Sequence, residues 1–110
     1  MPIIELQSKN ELYFILTRNT KVILYFYINS SIDCNRFSNT FINETRKINN
    51  IGIIFCRINC DIFPDIQILF DVNIRKTPVL IFYKDKKIKN KLIGNHPEIF
   101  IDYCLDFAII

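Results

Sequence analysis

The sequence predicts an α/β fold in which helices cover both faces of a mixed central β-sheet. Apolar segments without polar alternation recur along the chain, amphipathic segments lie between them, and the last two apolar segments are joined by a short polar turn. Continuous apolar segments are typical of strands buried on both faces, and a tight polar turn indicates an antiparallel hairpin. The predicted order is β-α-β-α-β-α-β-β-α, in a single domain over residues 1–110.

Three strands and two helices are predicted in the first half of the chain. Ser8 and, three positions later, Glu11 match a capping box, so the first helix should begin there. The strands span residues 3–6, 21–28 and 52–58, and the second helix spans residues 33–49. The core-facing positions of the second helix follow helical spacing and are Phe37, Phe41, Thr45 and Ile48.

A short third helix near Pro64, a hairpin and a last helix are predicted in the second half. The hairpin strands span residues 79–83 and 88–93 and are joined by a turn at residues 84–86. Lysines alternate along the second hairpin strand, which protects an exposed sheet edge against pairing or, as the alternative, offers a site for an anionic partner. The last helix has Pro97 in its first turn. Its core-facing residues are predicted to be Ile99, Tyr103 and Phe107.

Composition and charge exclude several classes of function. The chain carries 14 Lys and Arg against 11 Asp and Glu, a net charge of +3, far from the strongly basic character of nucleic-acid-binding proteins. No apolar run approaches the roughly 20 residues that span a bilayer. Residues 1–6 lack the basic and apolar regions of a secretory signal. We therefore expect a cytoplasmic protein without nucleic-acid or membrane partners.

The four cysteines, Cys34, Cys56, Cys60 and Cys104, form no C-x-x-C pair and no zinc-ligand spacing. In a reducing compartment they are expected to be free thiols. Cys56 and Cys104 are expected in the core, whereas Cys60 ends its strand at the same sheet edge as Cys34, so a pairing between those two stays open. The single histidine, His96, has no partner for a metal site, and no nucleotide-binding loop is present. Neither a metal nor a cofactor is predicted.

Three local patterns occur in a characteristic order. Residues 25–34 form a strand that runs into the sequence S-I-D-C (residues 31–34) at a helix start, residues 73–78 lead into a proline, and residues 91–95 end a strand at a glycine. In this order and spacing the chain resembles thioredoxin over essentially its whole length. The resemblance implies the thioredoxin fold, a cis peptide bond before Pro78, and thiol–disulfide chemistry at the S-I-D-C segment.

The chain departs from the thioredoxin pattern at the residues that carry the chemistry. By position, Ser31 replaces the attacking cysteine, Cys34 keeps the resolving cysteine, and Tyr25 replaces the buried aspartate that accepts the proton of the resolving cysteine. Ser30 replaces the loop tryptophan. A serine hydroxyl without an activating base cannot replace an attacking thiolate. The departures together predict a degenerate S-x-x-C site with relaxed or abandoned redox function.

The resemblance also implies a peptide-binding groove beside Pro78. In the thioredoxin family the backbone of the residue before this proline pairs with an extended substrate peptide, which needs main-chain groups but no thiol. Peptide binding can therefore persist without catalysis; the simpler alternative is that Pro78 only shapes the start of its strand. The residues of the predicted groove are Tyr27, Ser30, Ser31, Ile32, Thr77, Pro78 and Asn95.

We predict a module that binds a protein or peptide, rather than an enzyme. The second interpretation is an atypical one-thiol oxidoreductase in cell redox homeostasis, in which Cys34 exchanges disulfides with glutathione or with a cysteine of a partner. The third is a structural subunit whose fold serves as an assembly surface. A binding module should hold Cys34 buried behind the loops of Ser31 and Pro78, whereas an enzyme should present a reactive thiol at the helix N-terminus.

Overall fold

The computed structural model describes residues 3–110 and confirms the predicted order of strands and helices. Residues 1 and 2 of the predicted domain lie outside the described residues. The elements are β1 (Ile4–Glu5), α1 (Lys9–Arg18), β2 (Lys21–Tyr27), α2 (Ile32–Thr45), β3 (Ile53–Asn59), α3 (Pro64–Leu69), β4 (Val79–Lys84), β5 (Lys87–Ile93) and α4 (Pro97–Ile109), with 3₁₀ turns at Ile48–Asn50 and Ile74–Lys76. None of the helices within residues 3–110 has the length and apolarity needed to cross a bilayer.

The five strands form one mixed sheet in the order β1-β3-β2-β4-β5. Strands β1, β3 and β2 are parallel, whereas β4 runs antiparallel to β2 and β5 runs antiparallel to β4. Tyr27 pairs with Asn59, Phe26 pairs with Val79, and Val79 pairs with Ile93. The loops after β2, β3 and β5 and the loop before β4 therefore meet at one end of the sheet, which we call the site end.

Each face of the sheet is covered by its own hydrophobic core. Helices α1 and α3 cover a mainly aliphatic core that includes Leu16, Leu24 and Ile66, and helices α2 and α4 cover a mainly aromatic core. Phe100 lies at the centre of the aromatic core, because its ring centroid is 5.0 Å from that of Phe37 and 5.8 Å from that of the β4 residue Phe82. Helices on both faces were predicted from the absence of polar alternation in β2, and the two cores confirm this prediction.

Polar side chains cap the starts of α1 and α2. The Ser8 hydroxyl accepts a hydrogen bond from the N–H of Glu11 at 3.1 Å, as the capping box predicts. The Glu11 carboxylate, however, accepts from the N–H of Gln7 at 2.7 Å, one residue before the position expected in a capping box. Ser31 caps α2 in the same way as Ser8 caps α1. This residue of the predicted site therefore has a structural role.

Helix α2 ends at Thr45 and not at residue 49, so the predicted end of this helix is wrong. The side-chain amide of Asn50 donates to the backbone carbonyl of the buried Glu44 at 2.8 Å, and Lys47 pairs with the Glu44 carboxylate. These contacts turn the chain into a 3₁₀ segment directly after the helix. Ile48 was expected to face the core but is 80% exposed as a result.

Helix α4 begins at Pro97 as predicted, but its buried face is rotated by about one residue from the prediction. The buried residues are Phe100, Cys104 and Phe107, whereas Ile99 is exposed and Tyr103 is only partly buried. Packing explains the difference, because the Phe100 ring meets the aromatic rings of α2 and β4. The predicted inward position of Ile99 is therefore wrong.

The predicted hairpin is confirmed, and its two strands extend slightly further toward the turn than expected. Only Asp85 and Lys86 form the turn, and their φ angles of 50° and 66° are typical of the tight turns that suit the twist of a hairpin. The register shifts within the hairpin, because Tyr83 pairs with Ile88 and the preceding residue pairs with Asn90. Strand β5 thus carries one extra residue, Lys89, in a β-bulge.

Candidate functional site

Ser31 forms the N-cap of α2 at the site end of the sheet. Its hydroxyl oxygen accepts the N–H of Cys34 at 3.1 Å, and its carbonyl oxygen accepts the N–H of Asn35 at 3.1 Å. Serine is among the best N-cap residues because its short side chain reaches the free N–H groups of the first turn. Where the resemblance leads us to expect an attacking cysteine, this chain therefore holds a hydroxyl that stabilises the helix start.

Cys34 is buried beneath the first turn of α2. Its exposed fraction is 1%, and it packs in the aromatic core with Tyr25 and Phe37. The thiol is free, as are those of the other three cysteines. A buried Cys34 is what the binding-module interpretation predicted, because a disulfide partner reaches a thiol only through an accessible sulfur atom.

Tyr25 ties β2 to the first turn of α2. Its hydroxyl donates to the carbonyl oxygen of Cys34 at 2.8 Å, and the Ser38 hydroxyl donates to the same oxygen at 3.0 Å. Burial raises the pKa of Tyr25 to about 12, so its phenol stays protonated at neutral pH. The side chain that lies where the resemblance implies a proton-accepting carboxylate is therefore a hydrogen-bond donor.

The other three cysteines also lie in the interior. Burial raises the pKa of Cys56 to about 12 and that of Cys60 to about 11, and it raises the pKa of Cys104 as well. Cys60 packs in the aliphatic core, on the face of the sheet opposite to the aromatic core that contains Cys34. Both thiols are free, so the pairing left open between Cys34 and Cys60 is not formed in this structure.

Thr77 and Pro78 are joined by a cis peptide bond, as predicted. The Thr77 hydroxyl donates to the carbonyl oxygen of Ile74 at 2.8 Å, and the Pro78 carbonyl oxygen accepts the N–H of Gly94 at 2.8 Å. The backbone N–H and C=O of Thr77 form no hydrogen bond with any described residue. Both Thr77 and Pro78 are buried, and the bond to Gly94 joins this loop to the end of β5.

The remaining predicted groove residues fall into two groups. Ser30 and Ile32 are exposed beside Ser31, and Asn95 is partly buried beside the Pro78 loop, with its side-chain oxygen unpaired among the described residues. Tyr27 is buried instead, and its hydroxyl donates to the Glu5 carboxylate at 2.8 Å. The structure brings Ser30, Ser31, Ile32, Thr77, Pro78 and Asn95 to the site end, while the Tyr27 side chain is held within the protein.

A polar network that the sequence analysis missed surrounds Tyr27. The Arg57 guanidinium lies over the Tyr27 ring, 4.3 Å from its centroid, and its Nη1 atom is 3.5 Å from the Glu5 carboxylate. Burial, together with the hydrogen bond to the Glu5 carboxylate and its charge, raises the pKa of Tyr27 to about 12. The signal in the sequence was an arginine within an otherwise apolar strand, since buried charges require partners.

Two exposed isoleucines at the site end were also missed. Ile62, in the loop after β3, is 65% exposed, and Ile74, in the loop before Pro78, is 38% exposed. With Ile32, the first residue of α2 and 67% exposed, they place an apolar side chain on each of three separate segments at this end of the sheet. The sequence carried no signal for their exposure, because they lie outside any helical or strand periodicity.

No metal site accompanies these residues. Within residues 3–110, no group of three or more His, Cys, Asp or Glu side chains is arranged to hold a metal ion. The chemistry available at the site end is therefore that of Ser31, a buried thiol, exposed isoleucines and the backbone around Pro78.

Solved structures share this arrangement of strands and helices. Thioredoxin from Malassezia sympodialis superimposes with a TM-score of 0.90 at 12% sequence identity, covering 97% of this chain and 91% of that one. The chain has the thioredoxin fold. Oxidised thioredoxin from Plasmodium falciparum gives a TM-score of 0.86 at 16% identity, covering 97% of this chain and 99% of that one. Mitochondrial thioredoxin 3 from Saccharomyces cerevisiae gives 0.85 at 21% identity, covering 94% of each chain.

The similarity to thioredoxins lies in structure and not in overall sequence. The chain matches no protein-family profile and no curated protein sequence. At identities of 12–21%, these structural similarities establish the thioredoxin fold and no function. The function of this thioredoxin-fold chain must therefore be argued from its own site residues.

Proposed function

We propose that the chain is a thioredoxin-fold module that binds an extended segment of a partner protein at the site end, without thiol–disulfide exchange. The observation that carries the proposal is the exposure of Ile32, Ile62 and Ile74 on three segments at the end of the sheet that holds Ser31 and Pro78. Apolar side chains grouped at the rim of a site favour binding, because a partner that covers them removes apolar surface from water.

The residues beneath this surface support binding rather than catalysis. The Ser31 hydroxyl is engaged as the cap of α2, and the Cys34 thiol is buried. The unpaired backbone groups of Thr77 match the main-chain hydrogen bonds by which an extended peptide adds to a sheet. None of these contributions requires a redox-active pair.

The proposal is tested by selecting peptides from a phage-displayed random library on the wild-type protein and measuring their affinity for variants. Ile32→Ser and Ile62→Ser are each expected to weaken binding by about tenfold, because each removes one buried apolar contact from the complex. Ile48→Ser is the matched control, since Ile48 is also an exposed isoleucine but follows α2 at the opposite end of the sheet. Selected peptides that bind all three variants as tightly as the wild type would refute the proposal.

The second candidate function is disulfide exchange through Cys34 alone, and the retention of this thiol at the N-terminus of α2 favours it. In this reaction the Cys34 thiolate attacks the glutathione sulfur of a mixed disulfide between glutathione and a partner's cysteine. A Cys34–glutathione disulfide forms, and the partner's cysteine leaves as a thiolate. A second glutathione thiolate then attacks the glutathione sulfur of this disulfide, which forms oxidised glutathione and releases the Cys34 thiolate.

Alkylation of Cys34 distinguishes the two functions. In the native protein at neutral pH, iodoacetamide is expected to modify Cys34 more slowly than it modifies free cysteine, because the sulfur is shielded by the protein. Peptide mass spectrometry measures the rate at this residue, and the same reaction in urea supplies the unfolded reference. Modification of Cys34 faster than free cysteine, absent in Cys34→Ser, would instead favour the one-thiol enzyme.

A further inference from the structure

Strand β5 forms an edge of the sheet and pairs only with β4 among the described strands. Val79 pairs with Ile93, and the Gly94 N–H donates to the Pro78 carbonyl oxygen at 2.8 Å. In an antiparallel ladder this bond makes Val79 and Ile93 a non-hydrogen-bonded pair. The backbone N–H and C=O of Ile93, and by alternation those of Lys91, therefore point away from β4 and have no partner within the sheet.

The side chains of Lys91 and Ile93 lie on the α1/α3 face of this edge, where they line a cleft. The cleft has a volume of about 270 Å³ and lies between the C-terminal half of β5 and the segment that leads to Pro78. Its lining residues are Asp71, Asn73, Lys76, Val79, Lys91 and Ile93. A strand added beside β5 would place the side chains opposite Lys91 and Ile93 over this cleft, because cross-strand partners share a face of the sheet.

The charge of the cleft favours an acidic ligand. The Lys91 ammonium donates to the carbonyl oxygens of Asp71 at 2.6 Å and Phe70 at 3.3 Å, which leaves one of its three N–H groups free. Lys76 is exposed and forms no ion pair with a described residue. Asp71 supplies the only carboxylate of the lining, so two ammonium groups face one carboxylate.

The lysines of β5 also determine which partner can pair with this edge. Lys87 and Lys89 are exposed along the same strand, and two β5 strands placed side by side would bring like charges together. Self-pairing is therefore disfavoured, which is the protective role expected for lysines on an edge strand. The same charges attract a strand that carries carboxylates.

We propose that β5 accepts an extended acidic segment of a partner protein as a sixth strand. Its backbone pairs with the free N–H and C=O groups of Lys91 and Ile93. An acidic side chain lies opposite Lys91, near the ammonium groups of the cleft, and an apolar side chain two residues away lies opposite Ile93. Ile32, Ile62 and Ile74 do not line this cleft, although Ile74 adjoins it, so variants at Ile32 and Ile62 test the proposed function and variants at Ile93 and Lys76 test this edge.

The probes are two heptapeptides with blocked termini and the sequences Thr-Glu-Thr-Val-Thr-Glu-Thr and Thr-Lys-Thr-Val-Thr-Lys-Thr, titrated into ¹⁵N-labelled protein. In an extended strand the second, fourth and sixth side chains of each peptide lie on one face. The glutamate peptide is expected to shift the amide signals of Lys91 and Ile93 and to slow the hydrogen exchange of these amides. Its affinity should fall as salt is added. The lysine peptide is expected to bind at least about tenfold more weakly than the glutamate peptide, because it cannot form the charge-assisted contact with the ammonium groups of the cleft.

Variants at Ile93 and Lys76 test the edge and the charge separately. Ile93→Pro removes the outward N–H without breaking a bond to β4, so it should lower the affinity for the glutamate peptide by about tenfold. Ile93→Val keeps the N–H and should bind this peptide with the affinity of the wild type. Lys76→Glu changes an exposed residue and should make the affinity for the lysine peptide higher than that for the glutamate peptide. This variant tests the proposal even if Ile93→Pro does not fold.

Four results would overturn the proposal. The first three are equal binding of the two peptides, equal affinity of folded Ile93→Pro and Ile93→Val for the glutamate peptide, and a concentration-dependent dimer that protects the β5 amides from exchange. Tighter binding of a single-stranded oligonucleotide than of the glutamate peptide, at the same amides, would assign the edge to a different class of partner and would also refute it.

Discussion

The wild-type protein is expected to reduce the disulfides of insulin no faster than the uncatalysed reaction, whereas Ser31→Cys should give measurable turnover. Release of a reduced substrate by a thioredoxin-type reaction requires a second thiol that attacks the mixed disulfide and closes an intramolecular disulfide. With Ser31 in place of one thiol, no such disulfide can form with Cys34. The measurement is insulin precipitation with a dithiol reductant, compared with reductant alone.

The Ser31→Cys variant is expected to remain slower than a normal thioredoxin. Its Tyr25 has a pKa raised by burial to about 12 and cannot accept the proton of Cys34 as a carboxylate would. Loss of the serine cap should also destabilise the variant by about 1 kcal/mol. Ser31→Ala is the matched control, since it loses the cap without gaining a thiol and should be inactive. Wild-type turnover equal to that of a thioredoxin would contradict the prediction, and Cys34→Ser and Cys60→Ser would then identify the thiol responsible.

Phe100→Ala is expected to lower the free energy of unfolding by about 3–5 kcal/mol, because the lost ring leaves a cavity that its neighbours fill only in part. The ring contacts rings from α2 and β4, so the cavity would lie where α4 packs on the rest of the protein. Urea denaturation monitored by circular dichroism measures the change.

Phe14→Ala is the control for Phe100→Ala. Phe14 is largely exposed on α1 and contacts the Arg18 guanidinium, 4.7 Å from the ring centroid. Its removal should change the free energy of unfolding by no more than about 1 kcal/mol. A loss of less than 1 kcal/mol in Phe100→Ala would show that this ring does not hold α4 in place.

The fold could be predicted because its strongest signals are local. Strand β2 is apolar throughout, and the strands of the hairpin flank two polar residues that adopt positive φ angles. The end of α2 could not be predicted in this way, because it depends on the contact between Asn50 and the buried Glu44. The buried face of α4 was also ambiguous, since apolar residues occur on almost every side of this helix and the aromatic core selects among them.

Only those site residues whose positions follow from the order of strands and helices could be predicted. Ser31, Cys34 and Pro78 occupy positions set by the strand–helix and loop–strand junctions, and the resemblance located them correctly at one end of the sheet. The surroundings of Tyr27 were not predictable, because Glu5 and Arg57 come from two strands distant in sequence. Exposed isoleucines such as Ile62 were missed because exposure depends on tertiary packing and leaves no periodic pattern.

The hydrogen bond between the Tyr25 hydroxyl and the Cys34 carbonyl oxygen limits which single substitutions this site tolerates. Dithiol turnover at the rate of a normal thioredoxin would need both a cysteine at residue 31 and an acid at residue 25. Tyr25→Asp alone would exchange a satisfied phenol for a carboxylate in an apolar core, a change that destabilises the fold before any activity is gained. Because Ser31→Cys alone also loses the cap of α2, either order of the two substitutions passes through a less stable protein.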